Sequence, residues 1–387
     1  MNIKIPYHKL GNLNNYSFVS FILDFKDETV FRYDFVKGVD DDFFSHKKEY
    51  ITVDEEQYNK CDSIVFFPFI YSKNNWGPMF VMKKNSEFIQ MNGGYEFLRN
   101  ADANPDYDKV EKWLNAGKSI EISDESIGNK NLIYFTLFYN DEYIDLLKFL
   151  LKSLNNQKFK NFELLFITNN IMLEKLKNLK LLSSFNTNFY LMENVTNSVD
   201  ASMQKIKIFE WEKINQYKNI LFLDLDILVI NDISSVFENN KIKNNIFYGA
   251  THNHSQNLHR TAYHSLIDYS EEQLKNFSNK NISALNAGQF FIKNTKTMQK
   301  HFENINNFIK VWDGRYFFEQ SFINYYFNLL EIADTQTLRD EFQFVSINEN
   351  ECEKTFGAKS VFVHFMGNAC NGIGKIEFIK KYYSKYL

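Results

Sequence analysis

Asn219-Ile-Leu-Phe-Leu-Asp224-Leu-Asp226-Ile-Leu-Val-Ile230 carries two aspartates inside an otherwise unbroken apolar run. Strands covered on both faces are apolar throughout, so the run predicts a buried parallel strand. Charge inside it is costly unless Asp224 and Asp226 stand at the exposed carboxyl end and bind something cationic. Residues two apart on an extended strand project the same way, which lets both carboxylates reach one divalent ion and a phosphate held by it. The first expectation is an enzyme acting on a nucleotide-linked substrate. Asp-x-Asp alone is a weak signal, because such pairs also occur in solvated loops and helix caps; the apolar flanks give it weight.

Working outward, strands and helices alternate. Asn131–Leu137 reads as a strand, followed by a turn at Asn140-Asp141 and a helix with Ile144, Leu147, Leu150, Leu151 and Leu154 on one face. Phe162–Ile167 is the next strand, Ile171–Leu182 a helix, and Asn188–Met192 a short strand. Asp200 caps a helix expected to run to about Tyr217, directly before the aspartate strand. Beyond the pair, Asp232 caps a short helix, Ile246–Ala250 is a strand, and Ala284–Ile292 is a turn into another. Helices near Thr297–Val311 and Phe318–Leu329, a strand at Ser360–His364 and a closing helix follow. Such alternation implies βαβ units and a mostly parallel sheet, whose ligands bind beyond the carboxyl ends of the strands. Asn140–Tyr143, Asp224 with Asp226, and His364 all fall there.

The first third has a different rhythm. Between Tyr16 and Met91 the pattern is strand-like, with Phe31, Tyr33 and Phe35 alternating with Arg32 and Asp34. Pro68, inside the apolar stretch Ser63–Tyr71, argues for an edge or a bend. After a turn at Asn92-Gly93-Gly94, Pro105 and Asp106 open a helix that faces Val110, Trp113 and Leu114 inward and stops at Gly117. The polar stretch from Lys118 to Lys130 reads as a linker. The expected organisation is a smaller β-rich accessory domain, residues 1–118, followed by an α/β domain, residues 131–387.

The totals narrow the function classes. A chain of 387 residues with 44% hydrophobic residues can bury a sizeable core, and a net charge of -4 with scattered lysines leaves no basic footprint for nucleic acid. Three cysteines, far apart in sequence, do not make a disulfide scaffold. The amino-terminal residues lack an apolar h-region and no run reaches the roughly 18 apolar residues of a bilayer span, so a cytoplasmic protein without an integral membrane segment is expected.

Taken in order, these residues resemble the glycogenin-like glycosyltransferases of family 8. Thr136-Leu137-Phe-Tyr-Asn140-Asp141-Glu-Tyr143 is similar to that family's first strand and turn, where an Asn and a Tyr hold uridine. Lys207-Ile-Phe-Glu-Trp211, with the run ending in Asp224-Leu225-Asp226, resembles its helix and metal motif. Asn286-Ala287-Gly288 resembles the motif facing the donor sugar, and Glu319-Gln320 the family's Asp-Gln pair. Val363-His364-Phe-Met-Gly367 resembles the carboxyl-terminal motif, with Lys375 standing for the basic residue that follows it. The likeness spans roughly Asn131 to Lys375. It departs at Thr251-His252-Asn253-His254, where the family usually has an acidic residue, and at Glu319, which replaces Asp.

The resemblance implies a Rossmann-like fold of the glycosyltransferase A type, with retaining transfer of a hexose or N-acetylhexosamine from a UDP-sugar. It implies Asp224, Asp226 and His364 as metal ligands, manganese or magnesium as the ion, and Leu137, Asn140, Tyr143, Leu225, Asn286, Ala287, Gly288, Gly367 and Lys375 around the donor. Lys207, Glu319 and Gln320 are the catalytic candidates. Glu319 reads as a nucleophile, or Gln320 steadies attack on the sugar's front face. The partners implied are the UDP-sugar and a carbohydrate or protein acceptor, with a homodimer left open. Two other readings compete: a nucleotide-sugar- or carbohydrate-binding protein without turnover, and a haloacid dehalogenase-type phosphatase, which has Thr or Val where this chain has Leu228. His252, His254, His259 and His264 form a cluster open to zinc or to an acceptor-facing loop.

Overall fold

The computed structural model describes the chain except residues 1, 6, 11–12, 14–17, 25–29, 38–39, 54, 62, 71–74, 77–78, 84–87, 92–106, 139–140, 194, 196–197, 252–270, 281, 313–318, 347–355, 367–368 and 371–372. The expected turn at Asn92–Gly94, the histidine cluster, Asn140 and Gly367 lie outside the described residues. Among those described, no helix is long and apolar enough to cross a membrane.

Two compact units are present, one formed by the described residues up to Met91 and the other by those from Tyr107 onward. The first is β-rich: an antiparallel sheet contains Val30–Val36, Phe18–Asp24, Ser63–Ile70, Met79–Lys83 and Phe88–Met91. Its Ser63–Ile70 strand is central, not an edge, yet Pro68 is accommodated where the ladder changes. On one side Ser63 to Phe66 pair with Met79–Lys83, while Phe69 and Ile70 pair with the two-residue strand Asn75–Trp76. Proline needs such an interruption because it has no N–H to give.

The second unit is the α/β body. Its main sheet uses β1 (Lys130–Leu137), β2 (Glu163–Thr168), β3 (Thr187–Leu191), β4 (Tyr217–Leu223), β6 (Phe247–Thr251), β7 (Leu285–Lys293) and β8 (Ala333–Asp334), while β5 (Ile227–Val229) lies elsewhere. The order is β3-β2-β1-β4-β7-β6-β8. β1 to β4 run parallel, β7 is antiparallel to β4 and β6, and β8 is parallel to β6. This is the mixed, mostly parallel sheet expected. In β1, Leu132, Ile133, Tyr134 and Phe135 are all fully buried, as a strand covered on both faces requires. A smaller sheet joins β5 to β9 (Phe342–Ser346) and β10 (Phe362–Met366) in the order β5-β10-β9.

The helices that matter to the site are α1 (Tyr107–Lys118), α2 (Glu142–Asn155), α3 (Ser198–Met203), α4 (Lys296–Val311), α5 (Glu319–Leu329) and α6 (Lys375–Tyr386). α1, assigned by its sequence to the first domain, belongs to this second unit. Its Trp113 stacks on Phe308 of α4 at 4.0 Å, and a Cβ at its Gly117 would meet the Tyr326 hydroxyl at 2.5 Å. The second unit therefore already includes Tyr107–Lys118.

Two further expectations are corrected. The helix predicted from Asp200 to Tyr217 ends at Met203, and 3-10 turns at Gln204–Glu210 and Ile214–Gln216 replace the rest. Gln204, Lys205, Ile206 and Ile208 are all buried, which a single apolar stripe on an α-helix does not allow. The aspartate run is likewise two strands, not one: β4 ends at Leu223, and β5 begins at Ile227 in the other sheet.

Candidate active site

The two-sheet arrangement determines where the aspartates point. Asp224 sits just past β4 and its N–H donates to the Gly288 carbonyl on β7 at 2.7 Å, tying it to the main sheet. The Asp226 carbonyl accepts from Phe365 N on β10 at 3.0 Å, tying it to the small sheet. Convergence of the carboxylates thus comes from a turn clamped at both ends, not from the period of one extended strand. Because Ile227 pairs with His364 across β5 and β10, the imidazole arrives at the same point.

Each aspartate divides its oxygens. Asp224 Oδ1 faces Lys205 Nζ at 3.4 Å, and Asp226 Oδ2 accepts from Lys375 Nζ at 2.7 Å. The other two oxygens turn toward the imidazole: His364 Nε2 is 3.1 Å from Asp226 Oδ1 and 3.9 Å from Asp224 Oδ2. One ligand atom from each of the three residues lies within 4.8 Å of the others. Cis ligands around an ion at about 2.1 Å stand roughly 3 Å apart, so the set fits a six-coordinate divalent cation with positions left over. Two carboxylates and an imidazole suit manganese somewhat better than magnesium. Three carboxylates, counting Glu319, against two ammonium groups also leave a deficit of positive charge.

Lys205 is the residue that sequence reasoning missed. It is 4% exposed, and its ammonium is 2.6 Å from Glu319 Oε1 and 3.2 Å from the Ala287 carbonyl as well as facing Asp224. The Phe222 ring lies beneath it at 4.4 Å. Burial works against its charge, but Asp224 and Glu319 more than offset that and hold its pKa above the ordinary lysine value. Lys207, the expected candidate, is half-buried two positions on and makes no ion pair among the described residues. An α-helix drawn through Asp200–Tyr217 cannot register this difference; the 3-10 turn delivers Lys205 to the acids.

The acids respond to their surroundings in opposite directions. Burial pushes Asp224 up, against the pull of Lys205 and His364. Asp226 is equally penalised by burial, yet His364 and Lys375 overcome it and hold that carboxyl well below the usual range. Tyr134, buried in β1 and donating to the Lys205 carbonyl at 2.9 Å, is raised by burial first and then by Glu319 and Asp224.

The Asn286-Ala287-Gly288 segment packs against Asp224, His364 and Lys205. Asn286 Oδ1 accepts from Gly288 N at 2.8 Å, Gln320 Oε1 accepts from Ala287 N at 3.0 Å, and Asn324 bonds both Leu285 N and Leu285 O. Gly288 has no room for a side chain, since a Cβ would come within 2.6 Å of Asp224 Oδ2 and would also collide with the His364 ring.

Beside the metal-type cluster lies a cleft of about 200 Å³ lined by Thr136, Phe138, Tyr143, Leu146, Ala201, Ser202, Lys205, Asp224, Leu225, Asp226 and Lys375. Tyr143, at the start of α2, is 39% exposed. Leu137 does not face it: the side chain is 1% exposed in the core, while its carbonyl accepts from Thr168 Oγ1 at 2.6 Å. Its neighbours Thr136 and Phe138 face the cleft instead, as alternation along a strand demands. Glu319 is not a cleft residue; it is 4% exposed and engaged with Lys205. Lys375 is brought in as the first residue of α6.

No protein-family model and no curated protein matches the chain. Among solved structures, it is similar to the bifunctional glycosyltransferase WbbM, with 12% identity and a TM-score of 0.45 over 70% of this chain and 52% of that one. It is also similar to the glycosyltransferase GlyE of Streptococcus pneumoniae TIGR4, with 14% identity and a TM-score of 0.42 over 67% of this chain and 64% of that one. The chain thus spans about half to two thirds of those proteins. Both likenesses are distant, and the functional reading rests on the residues of the site.

Proposed function

We propose that the chain is a metal-dependent glycosyltransferase of the A-type fold that moves a hexose or N-acetylhexosamine from a UDP-sugar to a carbohydrate or protein acceptor with retention. The observation that carries this reading is the division of oxygens. Lys205 and Lys375 each hold one oxygen of an aspartate, so that Asp224 Oδ2, Asp226 Oδ1 and His364 Nε2 are left facing one point at the edge of the cleft. A divalent ion there, manganese by preference, supplies neutralisation of the charge that grows on the departing diphosphate.

The chain's own groups do the rest. Tyr143 offers aromatic surface for the uracil, and Lys375 stands at the cleft as a second positive charge for the phosphates. Asn286, Ala287 and Gly288 act on the site from behind, where the Ala287 carbonyl accepts from Lys205 and the Gly288 carbonyl fixes the Asp224 N–H. Glu319 is committed to Lys205, which supports the front-face route over a double displacement. In that route Glu319 is a positioning residue that keeps Lys205, and through it Asp224, in place, with Gln320 holding the Ala287 amide. A buried ion pair broken on one side costs about 3–5 kcal/mol, so neither partner is a spectator.

A second reading keeps the site but not the turnover: a nucleotide-sugar-binding protein. It rests on Thr251, a buried residue whose Oγ1 finds no partner among the described residues, standing where the resembled family begins the segment that carries an acidic residue. Incubation with a panel of UDP-sugars and manganese, read by mass spectrometry for free UDP and sugar, separates the two. Donor-selective release that disappears in Asp224→Asn/Asp226→Asn is the expected result. Tight manganese-dependent UDP binding without release would favour the binding protein, and no binding under any condition would remove both readings.

A further inference from the structure

β3 forms one edge of the main sheet, with β2 on its inner side. Leu164 N donates to Asn186 O and Met192 N to Thr168 O, both at 2.8 Å, so the even-numbered residues of this segment turn their backbone groups toward β2. Backbone direction alternates along a strand. The N–H and C=O groups of Thr187, Phe189 and Leu191 therefore point outward, and these backbone groups make no hydrogen bond among the described residues.

Native sheets guard such a row with charge, with proline or by keeping the edge strand very short. The opposite edge is guarded: β8 has two residues, one of them Asp334. β3 is not. From Leu181 to Met192 the sequence has neither a charged residue nor a proline, in a chain that is 24% charged. The end of the strand is apolar as well. Leu191 is 42% exposed, and Asn170 Nδ2, donating to Glu193 Oε1, brings the 70% exposed Ile171 to that end. A long, uncharged edge with apolar side chains beside it is an aggregation hazard unless another strand covers it.

The row itself selects the partner. Its outward residues are centred on Phe189, so an antiparallel copy of the strand sets Phe189 opposite Phe189 of the partner subunit and Thr187 opposite Leu191 of the partner subunit. Every outward donor then meets an outward acceptor. A charge near the centre of the row would stand close to its own copy across the axis, and the sequence has none there. We infer that β3 pairs with β3 of a second copy of this chain, joining the two main sheets about a two-fold axis through Phe189. Such an interface closes after two subunits. Because β1 to β4 run parallel within each copy while the joined strands are antiparallel, the two clefts open at opposite edges of the joined sheet. Each copy keeps its own site, and the inference does not depend on the transferase reading.

Sedimentation velocity of the full chain over a range of concentrations, paired with residue-resolved amide hydrogen exchange, tests it. A dimer is expected at micromolar concentration. On dilution the amides of Thr187, Phe189 and Leu191 should lose protection, while those of Asn188 and Tyr190, bonded to β2 in either state, keep it. Leu191→Lys places a charge at each end of the pairing, and Thr187→Pro deletes an outward donor without touching the ladder to β2. Each should raise the dimer dissociation constant about 100-fold with the far-ultraviolet circular dichroism unchanged. Leu191 is exposed, so its variant keeps the test valid if Thr187→Pro fails to fold. A monomer at every concentration, including one whose edge captures a strand of another protein, would overturn the inference. So would a dimer indifferent to both variants, or one in which the Phe189 amide exchanges freely.

Discussion

Gly288 shows how closely the site is drawn. No side chain fits between Asp224 Oδ2, Asn286 Oδ1 and the His364 ring, so even a methyl group must push a ligand atom aside. Displacements of about 1 Å at a reacting centre cost on the order of 100-fold in rate, and an overpacked contact costs roughly 1–3 kcal/mol of stability. Gly288→Ala is therefore expected to lower turnover about 100-fold while leaving a folded protein with a modestly reduced melting temperature. Near-normal turnover would mean that the walls are looser than the distances imply. At this scale much was readable beforehand. The convergence of Asp224, Asp226 and His364 announces itself through short motifs, whereas Lys375 stands displaced from the motif's usual spacing by the insertion around Asn371–Gly374. Lys205 does not announce itself, because a lysine two positions away satisfies the same pattern and only backbone geometry distinguishes them.

Elements carry both the successes and the corrections. α4 follows its periodicity and cap, with Thr295 accepting from Met298 N at 3.0 Å, and α5 lies where the sequence placed a helix. Between them His301 Nδ1 meets the Tyr326 hydroxyl at 3.0 Å, and burial pushes the imidazole down from 6.5 to about 4. A base whose folded pKa is depressed contributes stability that is complete above the unfolded value and is lost as pH falls from about 6.5 toward 4, because the unfolded chain takes up the proton first. The loss should approach about 3 kcal/mol over that window. Melting temperatures measured across it should fall more steeply for the wild type than for His301→Gln; parallel curves would contradict the assignment. The segment after α3 was misread for a physical reason. Hydrophobic period identifies a face, but when successive residues are buried by several neighbours there is no face to detect. The aspartate run was misread as one strand because apolar continuity carries across a turn when both flanking strands are buried.

At the scale of the whole molecule, the site is a product of two sheets. β4 and β7 hold Asp224, β5 and β10 hold Asp226 and His364, and the turn between them is the hinge of the arrangement. The alternation of strands and helices foretold the main sheet, and the strand-like first third foretold a separate β-rich unit. The small second sheet was not legible, since a three-residue strand such as Ile227–Val229 has no period of its own. Nor was the place of α1, which is fixed by the stacking of Trp113 on residues almost two hundred positions away. Because Asp224, Asp226 and His364 are held by both sheets, the proposed binding of nucleotide through an ion would report on the assembled whole. Calorimetric titration of UDP into chelator-treated protein, with and without manganese, measures this directly, with His364→Ala as the comparison. The account predicts UDP binding that requires manganese and is strongly weakened in the variant. Equal UDP affinity in the presence of chelator, or in His364→Ala, would contradict it.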